Sequence, residues 1–442
     1  MTARHRPRVL VRSALALLLA GAVAGGVDGA HAQGAQNAQP LELRRTRATP
    51  TLRHDVFTRL AAAQRAAEAG NLDGAERLLA ALEREFSGAR ALNSYELANV
   101  HNFRAYIHYT RQDYPAAIAA WERVLAQPDL PQAMEAGTRY SLAQLYVATS
   151  DWKRAAAMLE AWFRLADDPA PESHVLLAQA HYQLGQHAEA LAAIERALAE
   201  ARSRGQPPRE NWYLLQRMAS YASGDLKATA KALGVLAERW PRKEYFVQLA
   251  GILGELGDAG RQLAALEIAY RGGWLDGERE LLNLAYLYLG NETPIRAARV
   301  LERGLEDGRI APGARNLELL GAALRQAREN RRAIEVLERA AREGGDAELW
   351  VRVAGLQLEE NADEQAVAAA RRALELGGGR RPDSTRIVLG MALYNLGRHA
   401  EARAAFAEAA RDERSRQSAE QWLRFLDAEI ARAEQLARDL DR

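Results

Sequence analysis

Histidine is the residue type in this chain that could most readily support metal chemistry, because the sequence has nine histidines and no cysteine. Two pairs, His101 with His108 and His174 with His181, are each separated by seven positions. On a helix, seven residues span about 10 Å along the axis, so the two imidazoles of one pair are too far apart to bind the same zinc ion. We therefore expect these histidines to pack against neighbouring helices, and no metal site is predicted.

Catalytic motifs of the common enzyme classes do not occur in the sequence. It has no G-x-S-x-G nucleophile elbow, no phosphate-binding P-loop and no G-x-G-x-x-G after a strand. The three glycines at 377–379 are expected to form a connector between two helices. Carboxylates alternate with arginines along residues 194–204, which is typical of a solvated helix surface. The sequence thus predicts a non-catalytic protein without cofactors, and an enzyme with an unrecognised site is the least favoured alternative.

The elements that carry these residues belong to a helical-hairpin pattern that recurs ten times, once every 33 to 42 residues. Each copy reads as a first helix, a short turn and a second helix, and such a period indicates a solenoid in which each hairpin buries its apolar face against its neighbours. The copies start near Val56, Ala98, Ala136, Pro171, Glu210, Lys243, Glu278, Ala314, Ala347 and Asp383.

Three positions of the repeat predict how its two helices pack. Counted from these starts, position 8 is alanine or glycine in nine of ten copies, position 20 is alanine in eight, and position 24 is apolar in all ten. Small residues opposed at fixed spacing let two helices approach closely, ridge into groove. The fifth copy departs from the pattern with Gln216, Arg217 and Thr229 at core positions. This departure indicates either a shift of register by one residue or a distorted hairpin.

The pattern resembles the tetratricopeptide repeat, and the resemblance implies an all-α, right-handed superhelix, an α-solenoid, whose concave face binds partners. In that family, positions 2, 5, 9 and 12 of the first helix line this face. In copies two to five they carry aromatic and amide side chains, which often anchor interfaces. The predicted groove residues are Asn102, Tyr106, Tyr109, Tyr140, Gln144, Gln179, Tyr182, Met218 and Tyr221. The alternative is that the tyrosines only fill the space between neighbouring hairpins.

The ends of the chain carry different patterns. Residues 1–32 resemble a secretory signal peptide, with a basic start, a short apolar stretch and the small-x-small sequence Ala30–Ala32. Residues 33–52 are predicted to be a flexible linker, 53–414 the repeats, and 415–442 a C-terminal capping helix with an apolar stripe. Whether the signal is cleaved or kept as an anchor is left open by the sequence.

Charge and cysteine content narrow the range of partners. The formal net charge is +1 for 442 residues, so nucleic acid is not expected as a partner. Together with the predicted signal, the lack of cysteine favours the bacterial periplasm. Membrane contact is expected only through partners or an uncleaved signal. A chaperone tail held by lysine at position 5 and asparagine at position 9, as in some members of the repeat family, is also not expected, because no copy has these residues there.

A narrower resemblance covers almost the whole chain that follows the predicted signal peptide. The stretches that carry it are NSYELANVHNFRAYIHYTRQDYPAAIAAWERVL (93–125), PPRENWYLLQRMASY (207–221), WPRKEYFVQLAGILGELGD (240–258) and RSRQSAEQWLRFL (414–426). They look like the periplasmic repeat proteins that are associated with TonB–ExbB–ExbD systems of Gram-negative bacteria. This resemblance implies a periplasmic adaptor that contacts a TonB-type energy-transduction complex. The alternative is a scaffold for cell-envelope or polysaccharide-export assembly.

Overall fold

The structure, a computed structural model, describes residues 50–440, so the predicted signal peptide and most of the predicted linker lie outside the described residues. Within this range there are twenty-one α-helices, a short 3-10 turn at Gly88–Arg90 and no β-strand. The helices are α1 His54–Glu68, α2 Leu72–Glu85, α3 Ser94–Thr110, α4 Tyr114–Leu125, α5 Gln132–Ala148, α6 Trp152–Phe163, α7 Pro171–Gln183, α8 His187–Ser203, α9 Glu210–Ala222, α10 Leu226–Arg239, α11 Lys243–Glu255, α12 Ala259–Arg271, α13 Glu278–Gly290, α14 Pro294–Glu306, α15 Ala314–Gln326, α16 Asn330–Gly344, α17 Ala347–Glu359, α18 Asp363–Glu375, α19 Pro382–Asn395, α20 His399–Ala409 and α21 Arg416–Leu440. The predicted all-α solenoid of stacked hairpins is confirmed, with α1 to α20 forming ten hairpins.

The starts of the first helices follow the sequence pattern closely. In six copies they coincide with the predicted residue, and in the other four the helix begins one to four residues earlier. The early start of α3 has a local cause. The Asn93 side chain accepts a hydrogen bond from the Glu96 backbone N–H at 2.9 Å, and the Glu96 carboxylate accepts one from the Asn93 backbone N–H at 2.9 Å. This reciprocal capping box fixes the helix start ahead of the repeat's own register.

Every hairpin turn contains one residue with left-handed backbone, two positions before its second helix. These residues have φ between 54° and 80°, and they are Gly70, Gln112, Ser150, Gly185, Gly224, Gly257, Glu292, Arg328, Asn361 and Gly397. In five of the hairpins an aspartate or asparagine at the next position caps the second helix. Asp225, for example, accepts a hydrogen bond from the Ala228 backbone N–H at 2.9 Å. The turn therefore reverses the chain and satisfies one of the free N–H groups of the helix that follows.

The small residues predicted at position 8 are buried in the nine copies that have them, and the fifth copy has Arg217 there instead. All eight position-20 alanines have no exposed surface, and all ten position-24 residues are buried. In two copies the close contact uses a glycine, because a Cβ at Gly321 or Gly390 would lie 2.5 Å from the side chain of Leu337 or Phe406. The buried side chains form two cores that follow one another along the chain, one from Ala98 to Ala180 and one from Ala178 to Leu426.

Two buried carboxylates tie hairpins together near the ends of the solenoid. Glu96 has no exposed surface and pairs with Arg53, whose Nη2 lies 2.6 Å from Glu96 Oε2, so the first helix is held to the second hairpin. Asp383 is 2% exposed and joins α19 to the start of α21, because it accepts hydrogen bonds from Arg381 Nη2 at 2.5 Å and from Ser415 Oγ at 2.6 Å.

Among the described residues, no helix combines the length and the apolar character that spanning a membrane requires.

Candidate functional site

The predicted groove residues lie on the four first helices α3, α5, α7 and α9, and the structure places them in different surroundings. On α3, Asn102 accepts a hydrogen bond from the Trp121 indole Nε1–H of the second helix at 3.0 Å. Tyr109 is half-buried, with its ring 6.2 Å from those of Tyr114 and Trp121. Burial also raises the pKa of the Tyr109 hydroxyl. In this hairpin Asn102 and Tyr109 therefore contact the second helix, and the half-buried Tyr106 lies against Phe103, with ring centroids 6.3 Å apart.

The α5 residues are likewise half-buried. The Tyr140 ring lies 4.7 Å from the Trp162 ring of the second helix, and burial raises the pKa of its hydroxyl. Gln144, one turn further along α5, interacts with that hydroxyl. Together these two side chains present a partly accessible aromatic surface with an amide beside it.

Exposure increases towards the fifth copy. Gln179 and Tyr182 on α7 are half-buried, and the Tyr182 ring leans against His187 at 5.3 Å. On α9, Met218 is half-buried, while Tyr221 is 57% exposed. None of the ring contacts among residues 50–440 joins two of the five predicted tyrosines. The structure thus leaves Tyr221 as the groove tyrosine with the most surface free for a partner.

The hydrogen bond between Asn102 and Trp121 allows a structural role to be tested at one of the predicted groove positions. We expect Asn102→Ala to lower the free energy of unfolding by about 1–2 kcal/mol, because the buried Trp121 N–H loses its acceptor. Thermal unfolding followed by circular dichroism measures this. Gln179→Ala is the matched control: this half-buried amide makes no side-chain hydrogen bond within the described range, and its loss is expected to cost less than about 0.5 kcal/mol. Equal losses in the two variants would contradict the structural role of Asn102.

A cavity of about 230 Å³ next to Tyr221 was not predicted from the sequence. It lies between α9 and α11, with α10 behind it, and its wall consists of Arg217, Tyr221, Thr229, Leu233, Gln248, Gly251, Ile252 and Glu255. The sequence signal was the arginine at position 8 of the fifth copy. The predicted register shift or distortion is wrong, because α9 starts at the expected residue and Thr229 remains buried with its Oγ1 3.0 Å from Ser220 Oγ. Instead, the hairpin keeps its register and Arg217 lies against a gap.

A second and larger cavity, about 470 Å³, contains the histidine pair of α7. His181 is buried and its Nδ1 lies 2.7 Å from Gln186 Oε1, while the His174 ring stacks on Phe163 at 4.4 Å. Burial lowers the pKa of His174, which favours the neutral ring at pH 7. No group of three or more histidine, aspartate or glutamate side chains in the described part of the chain could hold a metal ion. The buried His181 already bonds to Gln186, whereas the buried Nε of Arg217 makes no hydrogen bond, so the Arg217 cavity is the better candidate for ligand binding.

Two segments of the repeat region match models of known families. Residues 384–411 match the family model for the tetratricopeptide repeat, and residues 110–197 match the model described as anaphase-promoting complex, cyclosome, subunit 3. No curated protein matches the chain by sequence.

Solved structures resemble the chain at low identity. A tetratricopeptide repeat protein from Parabacteroides merdae is 15% identical, with 61% of this chain and 98% of that chain covered and a TM-score of 0.32. YrrB, described as a tetratricopeptide repeat protein with an unusual peptide-binding site, is 17% identical over 40% of this chain and 84% of its own, also with a TM-score of 0.32. The Naa15/Naa10 complex with HypK gives 13% identity, 85% and 65% coverage and a TM-score of 0.42. At these values the likenesses carry no information on what this chain binds.

Proposed function

We propose that this chain, a tetratricopeptide repeat protein, is a non-catalytic adaptor of the bacterial periplasm that binds an extended segment of an envelope protein along α3, α5, α7 and α9. The partner we favour is a component of a TonB-type energy-transduction complex. Export rests on the signal-like sequence of residues 1–32, and the partner class rests on the resemblance of residues 93–125, 207–221, 240–258 and 414–426 to TonB-associated repeat proteins.

The observation that carries the binding role is the exposure of Tyr221 beside a cavity on the same helix layer. Tyr221 is 57% exposed, whereas the aromatic residues Tyr213 on the same helix and Phe246 on the next first helix are buried. Tyrosine offers a large contact area and a hydrogen-bonding hydroxyl while few torsions must be fixed on binding, which is why it is enriched at interface hot spots. Tyr182, Gln179 and Gln144 extend this surface along two more first helices.

In-cell photo-crosslinking from position 221 tests this proposal. A crosslinkable residue in place of Tyr221 is expected to capture an envelope protein that mass spectrometry identifies as a TonB-complex component. The matched control is Ile268, which is 52% exposed but lies on the second helix α12, on the other layer of the solenoid. Capture of a polysaccharide-export component would instead support the scaffold alternative. Capture of the same protein from both positions, or of none from position 221, would contradict binding along the first helices.

Alanine substitutions test the energetic role of the tyrosines. We expect Tyr182→Ala combined with Tyr221→Ala to weaken binding of the crosslinked partner at least about tenfold, because truncation of a hot-spot residue typically costs more than about 2 kcal/mol. Affinity of the purified partner, measured by calorimetry, checks this, with helicity by circular dichroism unchanged. Tyr286→Ala is the control, since Tyr286 is 50% exposed on the first helix of the seventh copy, outside the proposed site. A Tyr286 variant that weakens binding as much as the double variant would place the site elsewhere.

A further inference from the structure

We infer that the Arg217 cavity binds the carboxylate of an aspartate or glutamate side chain in the partner segment, together with an apolar side chain next to it. This inference rests on the proposed function, because it assumes a polypeptide on the layer of first helices. It assigns to Arg217 the selection of an acidic residue in that polypeptide.

Arg217 is a half-buried cation that lacks a carboxylate partner. Its Nη1 donates a hydrogen bond to the Gln248 amide oxygen at 2.9 Å, while its Nε is buried and makes no hydrogen bond. No ion pair joins Arg217 to a carboxylate within residues 50–440. A partly desolvated guanidinium with unfilled donors is costly, and a bidentate carboxylate is the acceptor that fits its planar geometry best.

Arg104, on the first helix of the second copy, shows how this chain satisfies a comparable arginine. Its side chain is 16% exposed and bonds to Glu76 at 2.8 Å and to both oxygens of Glu83 at 2.8 and 2.7 Å. All three nitrogens of the Arg104 guanidinium therefore donate to carboxylates of the same chain. Arg217 has only one neutral amide in the equivalent role, so its remaining donors are available to a carboxylate from another molecule.

The cavity gives such a carboxylate a way in. Gly251 on α11 faces the gap, and a Cβ built there would meet no atom within 4 Å. The missing side chain opens the space between α9 and α11 in front of Arg217. Tyr221 also lines the cavity and supplies a hydroxyl donor to its wall, while Leu233 and Ile252 supply apolar surface.

Size and charge decide what kind of anion fits. The volume of about 230 Å³ is below the roughly 300–1,000 Å³ of pockets for drug-sized ligands, so the cavity has room for a side chain or two. Glu255 also lines the wall, and its negative charge opposes a second negative charge in the cavity. A single arginine facing one glutamate therefore favours a monoanionic carboxylate over a doubly charged phosphate.

Selection from a library of short random peptides, displayed with their C-termini fused to the carrier, tests the inference. The absence of a free C-terminus means that any carboxylate selected belongs to a side chain. Selection on the purified wild-type chain is expected to enrich aspartate or glutamate next to an apolar residue. Selection on Arg217→Gln is expected to lose that enrichment, and the affinity of an enriched peptide for this variant, measured by fluorescence anisotropy, is expected to fall at least about tenfold.

Matched variants test the cavity separately from the charge. Gly251→Phe fills the gap while Arg217 itself is kept, and it is expected to reduce affinity as strongly as Arg217→Gln. Gly355→Phe is its control, because Gly355 occupies the same repeat position on α17 and also has no atom within 4 Å of a built Cβ. Glu255→Gln is expected to tighten binding several-fold, since it removes the opposing charge. Equal weakening by the two phenylalanine variants would overturn the assignment of the cavity.

The outcomes distinguish this inference from the proposed function. If the chain does not bind polypeptides, selection on the wild type yields no enriched sequence, and both proposals fail. If the chain binds polypeptides elsewhere, selection on the wild type enriches sequences without an acidic residue, or selection on Arg217→Gln enriches the same acidic residue. In either case only the Arg217 assignment fails. Recovery of binding when Arg217→Glu is paired with a peptide whose acidic residue is changed to lysine would establish the direct contact.

Discussion

Asp383→Asn is expected to lower the free energy of unfolding of the C-terminal hairpin by about 2–3 kcal/mol. The substitution keeps the shape of the side chain but removes the charge that Arg381 and Ser415 hydrogen-bond, and charge-assisted hydrogen bonds of buried groups are worth about 1.5–3 kcal/mol. Hydrogen exchange should show the loss in α19 to α21 and not in α3 to α8, because each hairpin of a solenoid contacts only its neighbours.

The pH dependence of this effect has a defined sign. The Arg381 hydrogen bond, opposed by burial and reinforced by Ser415, holds the pKa of the Asp383 carboxyl well below its ordinary value of 3.8. A carboxyl whose pKa is lower in the folded chain stabilises the fold above the unfolded pKa and loses that contribution as the pH falls through and below it. The stability difference between the wild type and Asp383→Asn should therefore be full near pH 7 and shrink below about pH 4.

Glu364→Ala is the control for this prediction. Glu364 also lies in the first turn of its helix and pairs with an arginine, but its side chain is 69% exposed and the pair distance is 3.8 Å. Exposed pairs of this kind contribute less than about 1 kcal/mol. A gap between the wild type and Asp383→Asn that stays constant from pH 7 to acid, or a Glu364 variant equally destabilised, would contradict the role of Asp383.

Gly390→Ala is expected to destabilise the chain by about 2 kcal/mol, although alanine is the better helix former by about 1 kcal/mol. A Cβ at this position would lie 2.5 to 2.8 Å from three ring atoms of Phe406. The ring has no room to withdraw, because it is fully buried and stacks on Trp422 of α21, with ring centroids 5.4 Å apart and planes inclined by 7°. Thermal unfolding measures the loss, and hydrogen exchange should locate it in α19 to α21.

The matched control is expected to change the stability in the opposite direction. Gly355→Ala, in the middle of α17 with no atom within 4 Å of the built Cβ, is expected to stabilise by about 0.5–1 kcal/mol through helix propensity alone. Adding Phe406→Leu to Gly390→Ala should cost less than the sum of the two single changes, because the smaller side chain makes room for the methyl group. Strict additivity, or stabilisation by Gly390→Ala, would show that the close contact is not what selects glycine there.

The architecture could be predicted from the sequence because it rests on contacts that repeat. Positions 8, 20 and 24 recur ten times, so single exceptions do not hide the pattern, and the alanines at position 20, such as Ala190 and Ala297, have no exposed surface. The early start of α3 could not be predicted in the same way. It depends on Asn93 and Glu96, which lie outside the repeat's own register.

The candidate site could be predicted only in part, because accessibility is set by neighbours that are distant in sequence. Position within the repeat does not reveal that Trp121 donates to Asn102 or that Tyr140 lies against Trp162. The cavity depends on Arg217 and on Gly251 of the following copy together. In the sequence each residue is only a small departure from the repeat pattern. In the fold the two are neighbours, and the guanidinium of Arg217 lies beside the space that Gly251 leaves open.

The left-handed residue before each second helix bears on how this chain relates to other sequences. Glycine occupies that place in five turns, yet Gln112, Ser150, Glu292, Arg328 and Asn361 adopt the same backbone in the others. The backbone conformation of this turn is thus the same in all ten copies, whereas the residue type that adopts it varies. A sequence pattern that requires glycine at this place would therefore miss half of the turns, whereas the left-handed backbone angle identifies all ten.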